Sequence, residues 1–352
     1  MQTAEKQITG LAFTGEDFTP ENVELTIENG IITDIIPSRA KTERCILPAF
    51  FNSHIHTGDT AALDTPADRP LKELVAPPDG LKHRILRMTP EESILKGMKN
   101  SIAYMKLRGT LGFADFREGG VHGAELLERA ADPEMYTIIL GRDGGEHHPA
   151  SAGLGLSSAH GTVEEKQAAD KVRRAGKLLF VHAGEGKTTD IDAAFDLRPD
   201  VIIHGTNFRD ADIRRAADED IAVAVCPRSN WTLHVASSKN NPPVKKLLEA
   251  GVPLLLGTDN VMFVSPDMFA ECAFLINVYD VTPEDALRAA TAGFSFAGEK
   301  TGIEKGKPAN LTIIEGIGLF EWSRHPLKTA LTRAGAAAVT EVISSKRHNS
   351  SL

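Results

Sequence analysis

Short, wholly apolar runs that end on a polar residue recur along most of this chain, separated by segments with helical periodicity. The first is Cys45-Ile46-Leu47-Pro48-Ala49-Phe50-Phe51, read as one buried strand that continues into Asn52-Ser53-His54-Ile55-His56. Further runs cover 110–116 (ending at Arg117), 135–140 (ending at Arg142-Asp143), 154–157, 178–181 (ending at His182), 201–203 (ending at His204), 221–225 (ending at Cys226-Pro227) and 253–256 (leading to Asp259). Because the runs do not alternate apolar with polar, both faces of the sheet they form are covered, as in parallel sheets. Eight such units over about 250 residues predict an α/β fold, a somewhat irregular (β/α)8 TIM barrel. The irregularity falls at 142–152, which is too short and glycine-rich for a crossover helix.

A small β domain brackets the barrel. Val23-Glu24-Leu25-Thr26-Ile27 alternates, Asn29-Gly30 supplies a turn, and 31–36 returns, which is a hairpin signature. The stretch 307–315 reads as a strand returning to that unit. The expected division is 1–44 for the N-terminal part of the small domain, 45–305 for the barrel and 306–352 for the return. The segment 57–88, rich in Pro, Asp and Gly, is either a functional lid or a disordered insert. Thr89-Pro90-Glu91-Glu92 then reads as the capped start of a helix that Gly109 ends.

Several function classes are excluded. A net charge of -9 without a basic run argues against nucleic acid. No apolar stretch approaches the roughly 20 residues that span a bilayer, and 1–10 does not resemble a signal peptide. Three scattered cysteines, Cys45, Cys226 and Cys272, fit neither a disulfide framework nor a Cys-x-x-Cys zinc module, so a reducing cytoplasm is expected. Gly186-Lys187-Thr188 is not a phosphate loop, because Val181 stands where that motif needs glycine. A small molecule is the expected partner; homo-oligomerisation is left open.

Residues i and i+2 of a strand share a face, so His54 and His56 point the same way. In a barrel, the ends of the first, fifth, sixth and eighth strands converge at one mouth. That convergence gathers His54, His56, His182, His204 and Asp259, five groups able to hold a divalent metal.

These residues carry a family resemblance. His54-Ile55-His56, Phe180-Val181-His182-Ala183-Gly184-Glu185, Ile203-His204-Gly205 and Leu256-Gly257-Thr258-Asp259 follow in the order of the amidohydrolase superfamily. His182 to Glu185, spaced His-x-x-Glu, resembles its deaminase branch, which includes cytosine, guanine, adenosine and S-adenosylhomocysteine deaminases and the related triazine hydrolases. Cys226-Pro227-Arg228-Ser229-Asn230 and the return 304–311 are similar to motifs of that branch, with Asn310 in place of its aspartate.

The resemblance implies one divalent transition metal, held by His54, His56, His182 and Asp259. Zinc is expected, with ferrous iron as the alternative. It further implies that His204 orients the attacking water, that Glu185 shuttles protons, and that Asp259 both binds metal and accepts the water's proton. Two-metal members carry a lysine at the fourth strand, and none occurs between Arg142 and His160, so one metal is favoured. The implied reaction is hydrolytic deamination of an aminated heterocycle, with cyclic-amide or ring-substituent hydrolysis as the alternative. Arg117, Arg142, His160, Trp231 and Asn260 lie at or beyond strand ends and are candidate substrate contacts. His83, His122, His147, His148, His234, His325 and His348 have no comparable placement.

Overall fold

The computed structural model describes residues 5–40 and 42–346, so His348 lies outside the described residues. The alternating N-terminal segments form β1 (Glu5–Thr14), β2 (Thr19–Glu28) and β3 (Ile31–Pro37), paired antiparallel. Asn29 and Gly30 adopt φ of 51° and 78°, the left-handed pair that a tight hairpin turn needs. Next comes β4 (Arg44–Pro48), which runs parallel to β1, with Leu11 opposite Cys45.

The apolar run 45–51 is therefore two strands, not one. At Ala49 the chain changes partners: the Ala49 amide donates to the Asn310 carbonyl, and the Phe50 amide to the Gly109 carbonyl. Both halves are fully buried, so apolarity alone does not reveal the break.

The barrel begins with β5 (Phe50–His56) and continues with β6 (Thr110–Arg117), β7 (Tyr136–Gly141), β8 (Ser151–Leu156), β9 (Leu178–Ala183), β10 (Val201–His204), β11 (Ala222–Val225) and β12 (Leu254–Leu256), each parallel to the one before. A two-residue strand, β13 (Asp259–Asn260), pairs back onto β5, with Asp259 opposite Ile55 and Asn260 opposite His56. β12 and β13 are two halves of an eighth strand, and their pairings close the ring. The gap at Gly257-Thr258 is stitched by Asn52. Its amide donates to Thr258 Oγ1 (2.7 Å) and its carbonyl oxygen accepts from the Thr258 amide (3.0 Å). A Cβ at Gly257 would lie 2.8 Å from the Cβ of His54, so glycine lets the closing strand pass this close. Finally β14 (Leu311–Glu315) and β15 (Val339–Ile343) rejoin the terminal sheet, whose order is β15-β14-β4-β1-β2-β3.

The segment 57–88 is ordered. It contains α1 (Leu71–Val75) and α2 (Leu81–Met88), followed by α3 (Glu91–Leu107). Leu74 is fully buried, and Leu71 lies against Gly186 across the mouth. Thr89 does not cap α3. Its hydroxyl donates to the Ile85 carbonyl (2.8 Å) and so closes α2.

The outer helices are α4 (Gly120–Ala130), α5 (Val163–Arg174), α6 (Ile191–Asp196), α7 (Asp210–Asp218), α8 (Pro227–Thr232), α9 (Val244–Glu249), α10 (Met268–Val278) and α11 (Pro283–Thr291). α5 opens with a reciprocal Thr162–Glu165 capping box and α11 with a Thr282 cap. β7 and β8 are joined by a single turn, Gly145–His147, in the shortened stretch. No helix among the described residues is long and apolar enough to cross a membrane.

Candidate metal and catalytic centre

The strand ends meet as barrel geometry requires. His54 Nε2 lies 3.1 Å from Asp259 Oδ1 and 3.2 Å from His182 Nε2, and His56 Nε2 lies 3.5 Å from Asp259 Oδ1. Donors bound about 2.0–2.2 Å from one zinc ion sit roughly 3–3.5 Å apart, so these spacings fit a single ion. His204 joins His54 and His182 in a second group of donors, and Glu185, His204 and Asp259 form a third. All the metal-competent clusters found among the described residues fall here.

Hydrogen bonds set the tautomers of His56 and His182. His56 Nδ1 faces two acceptors, the Phe116 carbonyl (3.1 Å) and Glu118 Oε1 (3.2 Å), and so carries the proton. His182 Nδ1 donates to the Leu156 carbonyl (2.8 Å). Both rings therefore turn an unprotonated Nε2 toward the centre, the arrangement that outer partners impose on metal-binding histidines. Phe116 sets its ring edge-on against His54 and His182, with centroids 4.6 and 4.7 Å away.

Burial drives the charges of the site. It lowers the pKa of His54 and His182, and takes His56 down to about 3 with help from the Lys82 charge. These rings are neutral, as ligands must be. Burial alone would raise Asp259, but its hydrogen bond with His54 holds it well below the usual carboxylate range. Ser229 donates to Asp259 Oδ2 (2.7 Å) and Asn260 to Oδ1 (3.1 Å). Neutral lone pairs gathered around a carboxylate are a donor set suited to a divalent cation.

Glu185 follows β9, its Oε1 3.7 Å from His204 Nε2. Burial raises its pKa, and the charges of Asp259 and Asp190 add to that. The other ring nitrogen of His204 meets the Asn230 amide at 3.2 Å. His204 and Asp259 both take left-handed backbone, φ 75° and 63°, which is uncommon outside glycine and gathers at functional sites.

The five candidate substrate contacts scatter. Asn260 is central, touching Asp259. Arg117 and Arg142 are buried behind His56 and both pair with Glu118. Trp231 turns its indole N–H to the Tyr279 hydroxyl (2.8 Å). His160 is exposed at the start of α5, bound to Glu165 (2.9 Å).

Sequence reasoning missed Asp59, Lys82, Asp115 and Glu118, a buried charged cluster beside the centre. Two of them carried a signal. Asp115 and Glu118 flank Phe116-Arg117 at the end of an otherwise apolar strand, where charge has no packing reason to be. Ser229 and Asn230 stood in a quoted motif without an assigned role.

The amidohydrolase family model matches residues 45–345. A protein of Methanothermobacter thermautotrophicus named "Putative aminohydrolase" is 34% identical, over 88% of this chain and 90% of its own. An adenosine deaminase from Xanthomonas campestris with bound zinc superposes with a TM-score of 0.75 at 18% identity, covering 97% of this chain and 91% of its own. An atrazine chlorohydrolase from Arthrobacter aurescens, complexed with zinc, gives 0.79 at 14% identity, covering 97% and 94%. The family match along most of the barrel, with an aminohydrolase relative over nearly the whole chain, makes this protein a member of the amidohydrolase family, a hydrolase of C–N bonds.

Proposed function

We propose that the chain deaminates an aminated nitrogen heterocycle, a purine, a pyrimidine or a nucleoside of either, using one divalent metal. His54, His56, His182 and Asp259 would hold it, with zinc first and ferrous iron second. Bound there, the ion supplies Lewis acidity and a nucleophile at neutral pH.

The rest falls to side chains of this protein. His204 orients the attacking water. Asp259, ionised, takes a proton from that water as its oxygen adds to the ring carbon bearing the amino group. Glu185, whose pKa burial raises, donates a proton to the adjacent ring nitrogen. The proton on Asp259 passes to the amine, the carbon–nitrogen bond breaks and ammonia leaves, while the proton left on the added oxygen returns to Glu185 as the ring carbonyl forms. The observation that supports this reading is the proximity of Glu185, His204 and Asp259, whose ligand atoms all lie within 4.8 Å of one another.

Ring-substituent hydrolysis is the second reading, favoured by the likeness to the atrazine chlorohydrolase. Ammonia release across aminopurines, aminopyrimidines and their nucleosides separates the two. Turnover of a halogenated or alkoxylated triazine with no ammonia from any amine would reject deamination.

A further inference from the structure

Lys82 is an unusual cation. It belongs to α2, in the segment that crosses the barrel mouth, yet it is only 2% exposed. Its neighbours Arg84 and Arg87 on the same helix are exposed. A buried ammonium needs partners, and Lys82 has three. Nζ lies 2.9 Å from Asp59 Oδ2, 2.7 Å from Glu118 Oε1 and 3.5 Å from Asn260 Oδ1.

Two of those partners lead to the metal centre. Glu118 Oε1, the oxygen that meets Lys82, is also the one 3.2 Å from His56 Nδ1. Asn260 faces Lys82 with its carbonyl oxygen and donates its amide to Asp259 Oδ1, one of the converging atoms. The amide's two ends are thus assigned by charge: oxygen toward ammonium, nitrogen toward carboxylate. Arg117 and Arg142 complete the setting of Glu118 from its other sides. The Lys82, Arg142 and Arg117 charges hold Glu118 ionised against burial.

We infer that Lys82 is a positioning residue for the metal centre, fixing His56 through Glu118 and Asp259 through Asn260 from a helix outside the barrel wall. A salt bridge that only anchored 57–88 would need Asp59 alone. Asp59 follows His56 by three residues and already offers the ammonium a carboxyl oxygen at 2.9 Å inside that segment. Contact with Glu118 and Asn260 adds nothing to such an anchor, but it reaches two of the four donors from one point. The segment 57–88 is thereby part of the ligand support rather than only a cover.

The inference rests on the metal reading above, and its test keeps the two apart. Zinc affinity is measured by chelator competition on purified full-length protein, and the metal-free protein is refilled with cobalt(II) to record the visible absorption of the ion. Lys82→Met keeps the length of the side chain and removes the charge. It should weaken zinc binding about 10–100-fold, the usual effect of losing an outer partner, and shift the cobalt bands.

Asp59→Asn/Lys82→Met removes both charges of the ion pair, so no lone buried charge remains to unfold the protein. If it binds zinc as weakly as the single variant, the inference holds. Wild-type affinity and an unshifted cobalt spectrum in the double variant would overturn it, by reducing Lys82 to a counter-ion for Asp59. Loss of the fold in both variants would assign Lys82 to stability and overturn it equally. Wild-type protein that retains no zinc would sink the metal reading itself, whatever the variants do.

Discussion

The terminal sheet and the barrel mouth bury their residues to opposite ends. In the sheet, Ile8, Val23, Leu25, Ile27, Ile32, Ile46, Leu311 and Ile313 form an apolar cluster of alternating positions. Each contributes by leaving water. At the mouth, His54, His56, Asp59, Lys82, Asp115, Arg117, His204, Asp259 and Asn260 are equally buried, at 4% exposure or less. Every one of those groups resists dehydration and is held there by a partner. Burial stabilises the first region and is tolerated by the second because of the chemistry it permits. Substitutions should therefore separate cleanly, with stability responding in one place and turnover in the other.

The largest effect is expected from Asp259→Asn. The change is nearly isosteric but removes the proposed ligand charge and proton acceptor together, so turnover should fall by about 10⁴-fold. Circular dichroism and the melting curve of metal-free protein should hardly change. Turnover near wild type would break the comparison at its strongest point.

Glu185→Gln comes next, with a loss of roughly 10²–10⁴-fold in kcat and unchanged zinc content by elemental analysis. A pH profile sharpens this. Burial raises the Glu185 pKa, so its proton is present below that pKa and lost as pH rises through it. Wild-type kcat should decline on that alkaline side, and the variant should lack the decline. Loss of zinc instead would make Glu185 a ligand and undo the proton-donor role.

Leu25→Ala tests the other region. Leu25 is fully buried in β2, and its truncation should destabilise by about 2–5 kcal/mol in denaturant titration. The kcat of the folded fraction should stay at the wild-type value. A matching fall in kcat would show that the sheet reaches the mouth after all.

Thr282→Ala removes the cap of α11, whose hydroxyl accepts from the Asp285 amide. It should cost about 1 kcal/mol and leave turnover alone.

The same contrast governs how far the sequence could be read. His54, His56, His182, His204 and Asp259 were legible because each interrupts an apolar run at a strand end, where a polar residue stands out. The hairpin at Asn29-Gly30 was legible from turn chemistry alone. The split of 45–51 at Ala49 was not, since membership of one sheet or the other leaves no mark on residues buried in both. Lys82 was hidden for a different reason. Leu81-Lys82-His83-Arg84-Ile85-Leu86-Arg87-Met88 carries cations on several faces, and only the neighbouring Glu118 and Asp59 decide which one turns inward. Thr89-Pro90 fits a helix start in composition, but its hydroxyl found a carbonyl behind it first.

The interrupted eighth strand has a consequence for assembly. His54 and His56 stand on one side of the seam where the ring closes, and Asp259 on the other, paired across it through Ile55. The donors thus come together only when the first and last strands meet, and the ion proposed above would work as a clasp on a hoop of some two hundred residues. Drawing such distant segments together in an open chain carries a loop-closure cost that a bound ion offsets. Ring closure and site completion are then a single event.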